Sequence, residues 1–155
     1  MDLITPFIKW LLKSDYIRKN KLFLNAIKAQ DGNVQIIAQQ VSENQIRRFV
    51  DGSKAYPITF SIVHFKSASY NPLVKTKPEA DENLVDVIDV HKIIEFVNDM
   101  EISRDYPAFS DNLTVEKVRC QYNTPPTPTF DGNISPVLAK FVIPIVFEVF
   151  EDVKQ

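Results

Sequence analysis

Residues 140–150 (KFVIPIVFEVF) constrain this chain more than any other stretch. Read at period two, Phe141, Ile143, Ile145, Phe147 and Val149 form one wholly apolar face. Val142, Val146 and Phe150 make the other face nearly as apolar. A strand apolar on both faces is either central in a sheet and covered on both sides, or buried against another subunit. Pro144 removes one ladder donor and points to an edge position or a bulge. An apolar edge invites uncontrolled pairing unless something covers it. The two signals together favour oligomerisation, with Phe147 a candidate interface residue.

The remaining patterns set the elements around this strand. Asp31-Gly32-Asn33 is a turn signal, since glycine tolerates positive φ and its neighbours hydrogen-bond their own backbone. After it, Val34, Ile36 and Ala38 alternate with Gln35 and Gln39 as in a half-buried strand; residues 45–50 continue it or form a second short one. Asp51-Gly52-Ser53 turns the chain, and Tyr56, Ile58, Phe60 and Ile62 then give the clearest alternation. A further strand is expected at 114–122, followed by a proline-rich connection at 123–138 that is too long for a tight hairpin.

Two helices complete the set. Thr5-Pro6 reads as an N-cap with proline at the first helical position, ahead of a stripe of Leu3, Ile4, Phe7, Ile8, Leu11 and Leu12. Trp10 lies off that stripe, either at the margin of a packed helix or on a second face that meets a partner. A proline- and lysine-bearing stretch at 66–78 reads as an exposed basic loop. Glu79, Asp81 and Glu82 then suit a helix N-terminus, and Leu84, Val87, Ile88, His91, Ile94 and Val97 form a stripe widened by Val90, Ile93 and Met100. The expectation is a single α+β domain over residues 1–155, a mainly antiparallel sheet of about four to five strands flanked by two main helices.

Several functions are disfavoured by what the chain lacks. The formal charge of −2 does not suit a protein that coats nucleic acid. Every glycine follows an aspartate, at Gly32, Gly52 and Gly132, so no glycine-rich phosphate loop exists. With Cys120 alone, no intrachain disulfide can form, which fits a reducing compartment. Residues 1–13 are apolar, but they lack the basic start and cleavage site of a signal and fall short of a membrane span. A soluble protein made in a cytoplasm is expected.

His91 and Glu95 stand i, i+4, yet a zinc site needs three or four ligands and only His64 and Cys120 remain, on distant strands. Cys120 and His64 would make a thiol–imidazole pair only if their strands were neighbours. Asp86 and Asp89 read as solvated charges on a polar helix face. No catalytic, cofactor or metal residue is therefore assigned. Arg47, Arg48, Asp51 and Lys54 bracket the first turn, and Lys66, Lys75 and Lys77 lie in or beside the next loop. These charges serve either solubility or an electrostatic patch for a partner or for passing DNA.

The order of elements, with Phe23-Leu24-Asn25, Asn33-Val34-Gln35-Ile36 and Arg47-Arg48-Phe49-Val50-Asp51-Gly52-Ser53 before an aromatic strand through Phe65, resembles the tail terminator proteins of long-tailed bacteriophages. That group includes proteins labelled minor capsid proteins in phages of Gram-positive bacteria. The match spans residues 22–65, and the rest agrees in pattern. The loop after the aromatic strand is richer in proline and lysine than the family pattern, and the last connection is longer.

The resemblance implies a virion protein at the tail–neck junction, assembled in the host cytoplasm as a hexameric ring. Such a ring caps the head-proximal end of the tail tube, stops its polymerisation and docks head and neck connector proteins. Its partners are then further copies of itself, the tube protein, the connectors and, in a contractile tail, the sheath protein. DNA passes through without specific binding, and no cofactor or membrane is involved. Other readings are another phage neck or head-completion adaptor, a small ligand-binding α+β domain, or an enzyme using Cys120 with His64.

Overall fold

The apolar run at the C-terminus becomes the middle of a sheet. β7 (Leu138–Glu151) pairs antiparallel along its whole length with β4 (Lys54–Ser67) and, over Ile145–Glu151, with β5 (Leu113–Cys120) on its other side. Beyond β4 lie β2 (Asn33–Ala38) and then β1 (Lys21–Leu24), giving the order β1-β2-β4-β7-β5. Two short strands, β3 (Arg47–Arg48) and β6 (Thr129–Phe130), pair with β4 and β7. The helices are α1 (Ile4–Leu11), α2 (Asp15–Arg18) and α3 (Glu82–Ser103). This computed structural model describes residues 1–18, 21–24, 33–67, 82–120, 129–130 and 138–153.

The fold is the expected α+β arrangement, with corrections of detail. β7 is central rather than an edge. Pro144 stands immediately before the stretch paired with β5, so its missing N–H takes no bond from that ladder. β1 and β2 run parallel, with Lys21 opposite Asn33, and the turn residues Asp31 and Gly32 lie outside the described residues. Part of the long connection returns to the sheet as β6, with Thr129 opposite Lys140. Residues 45–50 hold the end of a 3-10 turn (Glu43–Gln45) and the two-residue β3.

One face of the sheet packs under α1 and α3. Ile58, Phe60 and Ile62 of β4 share a buried cluster with Phe141, Ile143, Ile145, Phe147 and Val149 of β7. The helices add Phe7, Trp10 and Leu11 from α1 and Ile93, Phe96 and Val97 from α3. Phe7 stacks on Phe60 with centroids 4.0 Å apart. Phe147 meets four rings edge-on, at 5.9 Å from Phe7, 5.2 Å from Trp10, 6.2 Å from Phe60 and 5.4 Å from Phe109. Offset and edge-on pairs add to the area term because ring edges carry positive charge towards negative faces.

This packing rotates α1 from its expected stripe. Trp10 is 2% exposed and donates its indole N–H to the Asp105 carbonyl at 2.6 Å, while Leu12 is pushed to the rim. Trp10 therefore belongs to the chain's own core and does not face a partner. The helix cap also lies earlier than Thr5. Asp2 Oδ1 accepts the backbone N–H groups of Ile4 and Thr5, both at 3.0 Å, and Pro6 still falls in the first turn where no intrahelical donor is needed.

α3 ends in a Schellman closure, with Asp105 N–H donating to the Met100 carbonyl at 3.0 Å and Arg104 N–H to Glu101 at 3.3 Å. The residue that turns the chain is Arg104 at φ 52°, a left-handed conformation normally given to glycine. Arg104→Gly is expected to stabilise the protein by roughly 0.5–1 kcal/mol, the steric relief outweighing the extra freedom of the unfolded chain. Urea unfolding checks this, and a lower midpoint would show that the arginine side chain contributes more than its backbone strain costs.

Candidate partner interface at the end of the sheet

The segment before β4 is organised by its own polar groups. Ser42 N–H donates to Gln45 Oε1 at 3.2 Å, closing the 3-10 turn. β3 then sets Arg47 opposite Ala55 and Arg48 opposite Lys54. The tip is a tight reversal in which Phe49 N–H donates to the Ser53 carbonyl at 2.9 Å and Gly52 N–H to the Phe49 carbonyl at 3.0 Å. Asp51 Oδ1 accepts from the Ser53 hydroxyl and from its N–H, and these bonds hold the Asp51 carboxyl below its ordinary value. Gly52 sits at φ +89°, and a Cβ there would stand 3.2 Å from Val153 Cγ2. The turn thus requires glycine in both conformation and space.

Its side chains are unusually apolar for a loop tip. Phe49 is 46% exposed with its ring 5.8 Å from Phe150, Val50 is fully exposed, and Val153 beside the turn is 48% exposed. A shallow depression of about 210 Å³ adjoins them, lined by Gly52, Lys54, Asn112, Glu151, Asp152 and Val153. At its edge Tyr56 donates its hydroxyl to Glu151 Oε2 at 2.9 Å. Burial, reinforced by that carboxylate, pushes the Tyr56 phenol up to about 12.

The structure brings Arg47, Arg48, Asp51 and Lys54 together at this end, but not as a basic patch. Arg48 Nη2 is 2.8 Å from Glu43 Oε2, and Lys54 stands opposite Glu151 in the ladder. With Asp51 and Asp152 alongside, the local charge is mixed. Lys66 is separated from this group: it is a residue of β4, opposite Ala139, rather than part of a loop. Along a strand, the twelve steps from Lys54 to Lys66 span roughly 40 Å. Lys75 and Lys77 lie outside the described residues.

Phe147 must be corrected as an interface residue. It is 0% exposed within the single chain, so the burial that its alternation signals is met by α1 and Phe109. At this end of the sheet the exposed apolar residues are instead Phe49, Val50 and Val153, and the apolar pair directly before Asp51-Gly52 was the available signal for the first two.

Cys120 and His64 are not neighbours. β7 lies between their strands, with Cys120 opposite Ile145 and His64 opposite Phe141. Burial pushes the Cys120 thiol up to about 12, so it is not a thiolate at neutral pH. Among the described residues, no group of three or more His, Cys, Asp or Glu side chains is placed to hold a metal ion, and no helix is long and apolar enough to cross a membrane. Comparison with protein-family models and with curated proteins finds no match for this chain.

Proposed function

We propose that this chain is a structural virion subunit, a ring component that caps the head-proximal end of a phage tail tube and carries the docking surface for head and neck proteins. The observation that supports this reading best is the tip at Phe49–Ser53. It belongs to the segment in which the chain resembles tail terminators, and it projects apolar side chains among exposed charges. A small apolar centre with a charged rim is the usual composition of a protein–protein contact. The mixed charge around it suits protein neighbours better than a phosphate backbone, which needs an excess of basic groups. β4 and β7, fourteen residues each, give the tip a long paired base. Under this reading the chain assembles with copies of itself, with the tube protein and with connectors, and DNA passes without being held.

The decisive experiment is the mass of the protein by light scattering across a concentration range, with and without tube protein. A hexamer, alone or formed on the tube protein, is expected. A monomer that ignores tube protein at every concentration would overturn the reading. Binding to a head-side neck protein but not to tube protein would make the chain a head-completion adaptor instead.

Charge reversal at Arg47 and Arg48 to glutamate should weaken tube or ring association by about tenfold or more, since rim charges govern encounter. It should move Tm by only about 2 °C, because exposed pairs such as Arg48–Glu43 contribute little to folding. An unfolded double variant would mean that the arginines are structural.

A further inference from the structure

β5 is the last strand of the described sheet, with β7 on one side and no described strand on the other. A free edge offers its outward N–H and C=O groups to any extended chain. Here side chains already occupy that edge. Val118 N–H donates to Glu101 Oε2 at 2.8 Å, and the Tyr106 hydroxyl donates to the same oxygen at 2.9 Å. That hydroxyl also stands 3.4 Å from the Glu116 carbonyl, obstructing the neighbouring acceptor.

Two features set this arrangement apart from chance contact. Glu101 sits in the last turn of α3, which holds no basic residue, at the negative end of the helix dipole where a carboxylate is disfavoured. The edge it touches is also irregular. The register with β7 shifts between Val115 and Lys117, leaving Glu116 as the extra residue of a bulge. Glu116, Lys117 and Arg119 are exposed charges on the same short stretch. Bulge, charge and side-chain clamp are separate means of spoiling a strand edge, and all three converge on 116–119.

We propose that Glu101 and Tyr106 form an edge guard that closes β5 to strand addition by a second copy of this chain. The Val118 donor is held by the carboxylate, and the hydroxyl of Tyr106 stands beside the adjacent acceptor. Association is thereby directed to other surfaces of the molecule.

The test compares Glu101→Ala, Glu101→Gln and Tyr106→Phe. The first removes the acceptor, the second keeps an oxygen in its place, and the third deletes only the hydroxyl. In Glu101→Ala, amide exchange at Val118 should accelerate tenfold or more in dilute solution. Its mass by light scattering should rise with concentration, while the amides of 116–120 regain protection as the edge becomes paired. Glu101→Gln should remain close to the parent in both readouts. A folded Glu101→Ala variant whose mass matches the parent at every concentration overturns the guard, as does equal association of the alanine and glutamine variants. Should Glu101→Ala fail to fold, Tyr106→Phe carries the test: a severalfold faster Val118 exchange supports the proposal and an unchanged rate overturns it.

Discussion

Phe147→Ala should lower the unfolding free energy by about 3–5 kcal/mol, the usual cost of deleting a buried ring. The side chain is 0% exposed and lies edge-on to Phe7, Trp10, Phe60 and Phe109, so the cavity opens between two layers that cannot close over it. For a chain of this size the melting temperature should fall by roughly 10 °C or more. Phe147→Leu keeps most of the volume and should recover the larger part of that loss. Phe147→Asp would place a carboxylate among aromatic rings without a partner, and insoluble protein is the expected outcome. Urea unfolding of the alanine variant decides the matter. A loss below about 1 kcal/mol would mean that the aromatic cluster is not packed as described.

The combined change Phe49→Ser with Val50→Asp should show the opposite signature. Val50 is fully exposed and Phe49 nearly half so, with its ring resting on Phe150. Losing that rim contact should cost folding no more than about 1 kcal/mol. If the tip is an assembly contact, losing an aromatic anchor costs binding about 2 kcal/mol or more, close to a thirtyfold weaker complex. Titration against tube protein, read beside a thermal melt, separates the two effects. A variant that assembles like the parent would remove the tip from the interface, whatever its stability. Together the two variants distinguish apolar side chains that hold the chain together from those left for a neighbour.

The sequence shows the faces of the strands well. Ile58, Phe60 and Ile62 alternate into the core as expected, as do Phe141, Ile143, Ile145, Phe147 and Val149. The turn at Asp51-Gly52 is also legible, because positive φ at Gly52 is a local requirement. The side of α1 is less so. Its stripe points to Leu12, yet Trp10 is inside and Leu12 is at the rim. Trp10 has an apolar body and one polar atom, so its burial depends on an acceptor, and that acceptor is the carbonyl of Asp105 on a distant segment. The basic residues mislead for a similar reason: Glu43, Glu151 and Asp152 mix their charge with that of Arg47, Arg48 and Lys54, and only the fold brings Glu151 and Asp152 to that end.

The features legible in the chain alone are therefore local: the period-two faces of β4 and β7, the glycine turn and the apolar residues of α1 and α3. The central place of β7, the parallel pairing of β1 with β2 and the role of Phe147 as core rather than contact emerge from long-range packing. The same holds for the bonds from Val118 N–H on the β5 edge and from the Tyr106 hydroxyl to Glu101. A side-chain alternation states that a face must be covered, because leaving it wet costs free energy in proportion to its area. It carries no information about what covers it. That is decided by which remote segments pack or pair best, and for Phe147 they were α1, β4 and Phe109 of the same chain.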